Sequence, residues 1–191
     1  MGFLGGLFGG SRIKPPLPER FEAVVAAAES LRSTAGLRTG DKAGLLFNPE
    51  EGASMSALAA DLQRILREGE ATSGTIVDLE WDEFDTGWIV LRNGEFDDLV
   101  ASVQSLNVAL FERGNGDRLL AAVLRLDFER LPAYWIYNYK RGRFYPLVRP
   151  GHRETGRDSA AELRLGEMME ANRVAIEGSL DNWFGLSGIP F

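Results

Sequence analysis

The sequence predicts an α+β fold, a mainly antiparallel sheet of about five or six strands covered by helices. Three observations lead there. Several stretches repeat apolar residues at helical spacing, and short apolar runs fall between them, giving the order helix, strand, helix, two strands, helix, strand, hairpin, helix. Residues 134–150, Tyr-Trp-Ile-Tyr-Asn-Tyr-Lys-Arg-Gly-Arg-Phe-Tyr-Pro-Leu-Val-Arg-Pro, carry every local signal that a β-hairpin needs.

Residues 1–17 are read as a flexible, glycine- and proline-rich amphipathic segment, and residues 18–191 as a single α+β domain. Phe3, Leu4, Leu7 and Phe8 would share one face of a helix, yet Gly2, Gly5, Gly6, Gly9 and Gly10 each cost about 1 kcal/mol in a helix interior. Burying the four large side chains at about 1.5–3 kcal/mol each offsets that cost, so a membrane surface or a partner groove would order the segment; the alternative is a flexible terminus, or one packed on its own domain. Arg12 and Lys14 suit an anionic surface, and Pro15, Pro16 and Pro18 make a stiff spacer.

Pro18 suits the first turn of a helix whose core face is Phe21, Val24, Val25, Ala28 and Leu31, stopped at Gly36. Residues 43–47 read as a strand ended by Asn48-Pro49. Ser54 is placed to cap a second helix with Met55, Leu58, Ala59, Leu62, Ile65 and Leu66 on one face. Strands are expected at 75–81 and 88–91. In the first, Asp78 and Glu80 alternate with Val77 and Leu79, as a sheet with one wet face requires. A third helix spans 95–113 with Phe96, Leu99, Val100, Val103, Leu106 and Leu110 inward; Asp97 and Asp98 near its start suit the helix dipole. The nearly continuous apolar run at 119–126 predicts a central strand buried on both faces. A last helix is expected over 159–176, interrupted by Gly166.

In the hairpin itself, residues 134–139 are mostly aromatic or β-branched and Phe144 starts a second short run. Gly142 supplies the positive φ of a tight turn, with Arg141-Gly142 as the expected central pair. Pro146 lacks an amide donor and therefore places its strand at a sheet edge or ends its pairing. The result is an aromatic body with a cationic tip.

Composition narrows the chemistry. The chain has no cysteine and one histidine, which excludes disulfides, thiolate catalysis and the common zinc sites. A net charge of −7 argues against general nucleic-acid binding. No apolar run approaches the ~20 residues that span a bilayer, so a cytoplasmic location is expected. His152 lies among Arg149 and Arg153, which oppose its protonation, and reads as a solvated loop histidine rather than a base. The glycine pairs near the start lack the strand and Gly-Lys-Ser/Thr of a phosphate loop. No catalytic residue, cofactor or metal is expected. Charge is nonetheless uneven, acidic between Asp78 and Asp98 and basic between Lys140 and Arg157, and such a dipolar surface favours oriented protein docking.

The run Tyr137-Asn138-Tyr139-Lys140-Arg141-Gly142-Arg143-Phe144-Tyr145-Pro146 resembles the Tyr-x-Tyr-Lys-Arg-Gly-x-Phe-Tyr-Pro signature of the PspA-associated protein B (PspAB) family. Met1-Gly2-Phe3-Leu4 with Leu7 and Gly9, the linker to Pro15, and Trp183-Phe184 are similar to it too. The chain departs from the family pattern at Gly185-Leu186-Ser187-Gly188, where a more apolar, proline-bearing tail is expected. The resemblance implies a non-catalytic accessory role in the phage-shock, or envelope-stress, response, exercised through protein contact with PspA or its associated factors. The mechanism expected for that role is docking through the hairpin at Tyr139, Lys140, Arg141, Arg143, Phe144 and Tyr145, with a transient membrane or partner contact at Phe3, Leu4, Leu7 and Phe8 and a peripheral position at the inner face of the membrane. The order of elements also looks like that of secretion-chaperone-like domains, which leaves a peptide-binding module open. Stacking of single-stranded RNA on the basic hairpin and an unrecognised enzyme are the remaining readings.

Overall fold

The computed structural model describes residues 13–48, 55–68, 72, 74–81, 86–151 and 156–191. Its elements are α1 (Pro18–Thr34), β1 (Arg38–Phe47), α2 (Met55–Arg67), β2 (Ile76–Trp81), β3 (Gly87–Arg92), α3 (Phe96–Glu112), β4 (Leu119–Phe128), β5 (Leu131–Asn138), β6 (Arg143–Val148) and α4 (Ser159–Ala171). The strands form one six-stranded sheet in the order β2-β3-β1-β4-β5-β6 with every pairing antiparallel, so the α+β expectation holds. Ser54, expected as a cap, and His152 lie outside the described residues. Among the described residues no helix is long and apolar enough to cross a membrane.

The helical periods dictate what lies on the first face of the sheet. From α1, Phe21, Val24, Ala27, Ala28 and Leu31 are buried, and from α3, Phe96, Leu99, Val100, Val103, Leu106 and Leu110. Val25, expected inward, is only partly buried, and Ala27 takes its place. At the end of α1, Gly36 adopts φ +65°, and the Leu37 amide reaches back to the Leu31 carbonyl at 3.2 Å. These helices pack on Ala43 and Leu45 of β1, Ile89 and Leu91 of β3, Ala122, Leu124 and Leu126 of β4, and Ala133, Trp135 and Tyr137 of β5. The period of two in each strand sends the alternate residues to the other side.

That second face is where expectation and structure part. This face is wet toward β2, where Arg92 pairs with Asp78 at 2.9 Å and Glu80 at 3.8 Å, and at the end of β4, where Arg125 pairs with Asp127 at 2.7 Å. Across β3, β1, β4, β5 and β6 the second face is apolar: Trp88, Val90, Leu46, Val123, Tyr134, Ile136, Tyr145 and Leu147 are all buried. The chain after α4 covers it. Trp183 and Leu186 are buried there, and Phe184, Ile189 and Phe191 pack against the same cluster. Gly44 leaves room for this strap, since a Cβ at that position would sit 2.9 Å from both the Phe191 and Trp88 rings.

The tail is fastened by polar groups that read as surface charge in the sequence. Arg149 Nη2 donates to the Leu186 carbonyl at 2.9 Å and Arg157 Nη1 to the Trp183 carbonyl at 2.5 Å. Trp183 Nε1 donates to the Glu177 carbonyl at 2.8 Å, and Tyr134 Oη to the Phe191 carbonyl at 3.1 Å. Gly166, which looked like an interruption, lies inside α4, and its lack of a Cβ admits the Trp183 ring, which a Cβ there would meet at 2.6 Å. The helix ends at Ala171, short of the expected 176. Arg173 turns left-handed at φ 66°, and the chain then runs extended beside β6.

β6 is an edge strand, as Pro146 requires, and its outward backbone groups are occupied. The Phe144 amide donates to the Ala175 carbonyl and its carbonyl accepts from Glu177, each at 2.8 Å. The Val148 amide donates to Glu162 Oε1 at 3.0 Å, and its carbonyl accepts from Asp158 at 2.8 Å. Pro146 sits between them with no amide to satisfy. The edge is thereby closed to a further strand.

Candidate functional site

β5 and β6 pair from Ala133↔Val148 to Asn138↔Arg143, so the hairpin is real but its turn is longer than expected. Tyr139, Lys140, Arg141 and Gly142 all lie in the loop, and Gly142, at φ +64°, is its last residue rather than half of a central pair. Asn138 organises the loop. Its carbonyl accepts from the Gly142 amide at 2.7 Å, and its side-chain oxygen accepts from the Arg141 amide at 3.2 Å. A side-chain acceptor that precedes the Arg141-Gly142 pair makes the wider loop possible, which is why that pair alone misled.

The aromatic body is interior. Tyr139, Phe144 and Tyr145, three of the six residues expected to touch a partner, are 3%, 0% and 2% exposed. Phe21 of α1 packs on Tyr137 and Phe144 with ring centroids 5.2 and 5.4 Å away, while Tyr137 and Phe144 are 4.9 Å apart. Tyr139 stands edge-on to Tyr137 at 5.2 Å and donates its hydroxyl proton to Asn107 Oδ1 on α3. These are favourable tilted and edge-to-face arrangements, and they serve the core. The tyrosine hydroxyls stay protonated. Burial pushes Tyr139 well above the ordinary phenol value, with Tyr137 adding to the effect and the Asn107 bond opposing it. Burial likewise raises Tyr145, against the Arg157 charge and with the Glu162 charge, and raises Tyr137, against the Arg20 charge.

What reaches solvent is the cationic tip. Arg141 and Arg143 are exposed and Lys140 is half-buried. Arg143 Nη1 donates to the Ile176 carbonyl at 3.2 Å, and Arg141 Nη1 lies 3.7 Å from Glu177 Oε2. Neither arginine is sealed in a buried pair. Of the other cations in the basic stretch, Arg157 is bound to Glu162 and Arg149 to the tail, so they hold the fold together. Phe3, Leu4, Leu7 and Phe8 lie outside the described residues.

The tip has a neighbour that the sequence did not single out. Arg20, in the first turn of α1, comes beside Gly142 and Tyr137, 122 and 117 positions further on by number. Its one sequence signal is a cation where the helix dipole disfavours one. Together the loop, Lys14, Leu17 and Arg20 line an open pocket of about 390 Å³.

No curated protein matches the chain, and no solved structure does. The family model described as PspA associated protein B matches residues 1–191, the whole length. The hairpin signature is therefore embedded in a chain that follows the family from end to end, and this chain belongs to the PspAB family, which associates it with PspA in the phage-shock system.

Proposed function

We propose that the chain is a non-catalytic accessory protein of the envelope-stress response that works by direct protein contact with PspA or its associated factors. The observation that carries this reading is the hairpin tip: Lys140, Arg141 and Arg143 stand at the end of a strand pair whose aromatic side chains are locked under α1 and α3 on one face and under the C-terminal tail on the other. A cation on a rigid support loses little conformational freedom on docking, so the buried aromatics act as the support and the basic residues as the contact. Opposite charge on the partner would set orientation and encounter rate. The test is capture of PspA by the wild-type chain and by Arg141→Glu with Arg143→Glu. Capture falls with the reversal of charge; unchanged capture rejects the tip as the docking surface.

The amphipathic start adds a peripheral membrane contact in this reading, through Phe3, Leu4, Leu7 and Phe8 at the inner face of the membrane, with the body in the cytoplasm. Vesicle flotation with and without residues 1–12 tests it, and equal flotation removes the segment as an anchor. A second reading, peptide binding of the secretion-chaperone type, draws on one feature: the edge strand β2 exposes Ile76 (56%) and Trp81 (48%). Peptide-array binding that depends on Trp81 would favour it over a PspA-specific contact.

A further inference from the structure

The pocket behind the hairpin tip has the composition of an oxyanion site. Lys14 and Arg20 approach from the chain that opens α1, and Lys140 and Arg141 from the hairpin loop, with the Tyr137 hydroxyl and Gly142 between them. No carboxylate among the described residues lines it. Glu177 lies near Arg141 alone, while Lys14, Arg20 and Lys140 have no carboxylate partner among the described residues. Like charges brought this close repel one another, so the arrangement gains when an anion enters.

Further observations point inward. Arg20 Nη1 is shielded from solvent and has no hydrogen-bond partner, an uncommon state for a guanidinium nitrogen. Buried donors of this kind are ordinarily satisfied, so the free valence marks a place for an acceptor. It lies where Gly142 leaves space: a Cβ on Gly142 would be 3.5 Å from Arg20 Nη1 and 3.4 Å from the Tyr137 hydroxyl oxygen. Tyr137 keeps its proton and so remains a donor to an anion. Arg20 also occupies the first turn of α1, a helix of 17 residues, and the positive end of its dipole adds to the side-chain charges rather than opposing an anion.

We propose that this pocket binds a phosphate group, either free in solution or presented by an anionic lipid headgroup. A guanidinium with a free N–H, two ammonium groups, a shared arginine and a phenol supply charge and directed donors on several sides of one anion. The proposal does not depend on the contact with PspA, because it concerns the purified chain alone.

The experiment uses the full chain labelled with ¹⁵N, in two arms. Inorganic phosphate replaces chloride at constant ionic strength while the Arg141 and Gly142 amides and the Arg20 side-chain N–H are followed. In parallel, flotation compares vesicles of phosphatidylglycerol with vesicles of phosphatidylcholine. Arg20→Gln is expected to weaken binding about tenfold or more, the effect of one charge-assisted hydrogen bond, and Arg67→Gln, exposed on α2, to leave it unchanged. Should Arg20→Gln not fold, Lys140→Gln in the loop replaces it as the deciding variant. Saturable phosphate shifts lost in the deciding variant establish a site for free phosphate. Phosphatidylglycerol binding lost in that variant, without a phosphate response, identifies the headgroup as the source. No binding of either probe, or binding that the deciding variant leaves intact, overturns the proposal.

Discussion

Replacing Glu162 by alanine is expected to destabilise the protein by about 3 kcal/mol, toward the lower end of what breaking a buried ion pair costs. Glu162 is 2% exposed, and its carboxylate accepts from the Val148 amide at 3.0 Å, from Arg157 Nε at 3.0 and 3.1 Å, and from Arg157 Nη2 at 2.7 Å. Alanine would leave an edge-strand amide and the Nε and Nη2 of Arg157 without their acceptor. The Arg157 side chain retains 30% of its exposure, so solvent recovers part of the loss and keeps the figure from the upper end. Arg157 Nη1 also holds the Trp183 carbonyl, so the same change loosens the tail over the second face. Urea unfolding followed by tryptophan fluorescence and far-ultraviolet circular dichroism measures the effect, coincident curves licensing a two-state treatment. Glu162→Gln, which keeps an acceptor for Val148, is expected to cost less, about 1–2 kcal/mol. Glu162→Ala with Arg157→Met should cost less than the sum of the two single changes by about 1 kcal/mol or more. A loss below about 1 kcal/mol for Glu162→Ala, or strict additivity in the double variant, would mean that the pair contributes no more than an exposed one.

Gly44→Ala places a Cβ against Phe191 and Trp88 and should lose about 1–3 kcal/mol, with part of the loss restored in a Phe191→Ala background while the Trp88 contact remains; no restoration at all there would show that the tail is not what it strikes. Gly142→Ala, at φ +64°, should cost about 1–2 kcal/mol from the left-handed backbone alone, measured by thermal or urea unfolding. Tyr137, Tyr139 and Tyr145 have folded-state pKa values raised above the ordinary 10.0. Their contribution to stability is therefore complete below pH 10 and is lost as pH climbs beyond it, because the unfolded chain ionises first. Phenolate absorbance should appear together with loss of circular dichroism; ionisation of all three at pH 10 in a native spectrum would contradict this.

How much of the molecule is legible in the chain differs from one element to the next. α1 and α3 follow from a repeat of apolar residues every three or four positions, and their observed ends lie within a residue or two of expectation. β4 is central because its run 119–126 has no polar side to offer, and the structure places it between β1 and β5. Pro146 foretold an edge by lacking a donor. The β4–β5 turn left no such trace: Glu129 and Arg130 both adopt positive φ, 52° and 67°, without the glycine or asparagine that usually marks this geometry.

Local period and turn chemistry act over a few residues, and they suffice for the helices, most of the strands, the α+β class and a hairpin with a basic tip. Which faces meet depends on packing between residues far apart along the chain. Tyr139, Phe144 and Tyr145 carry residue types suited equally to an interface and to a core, and only the arrival of α1, α3 and the C-terminal tail over them makes them core. Arg20 and Gly142 have no shared pattern along the chain; packing α1 beside the hairpin brings them together, and with them the cationic pocket.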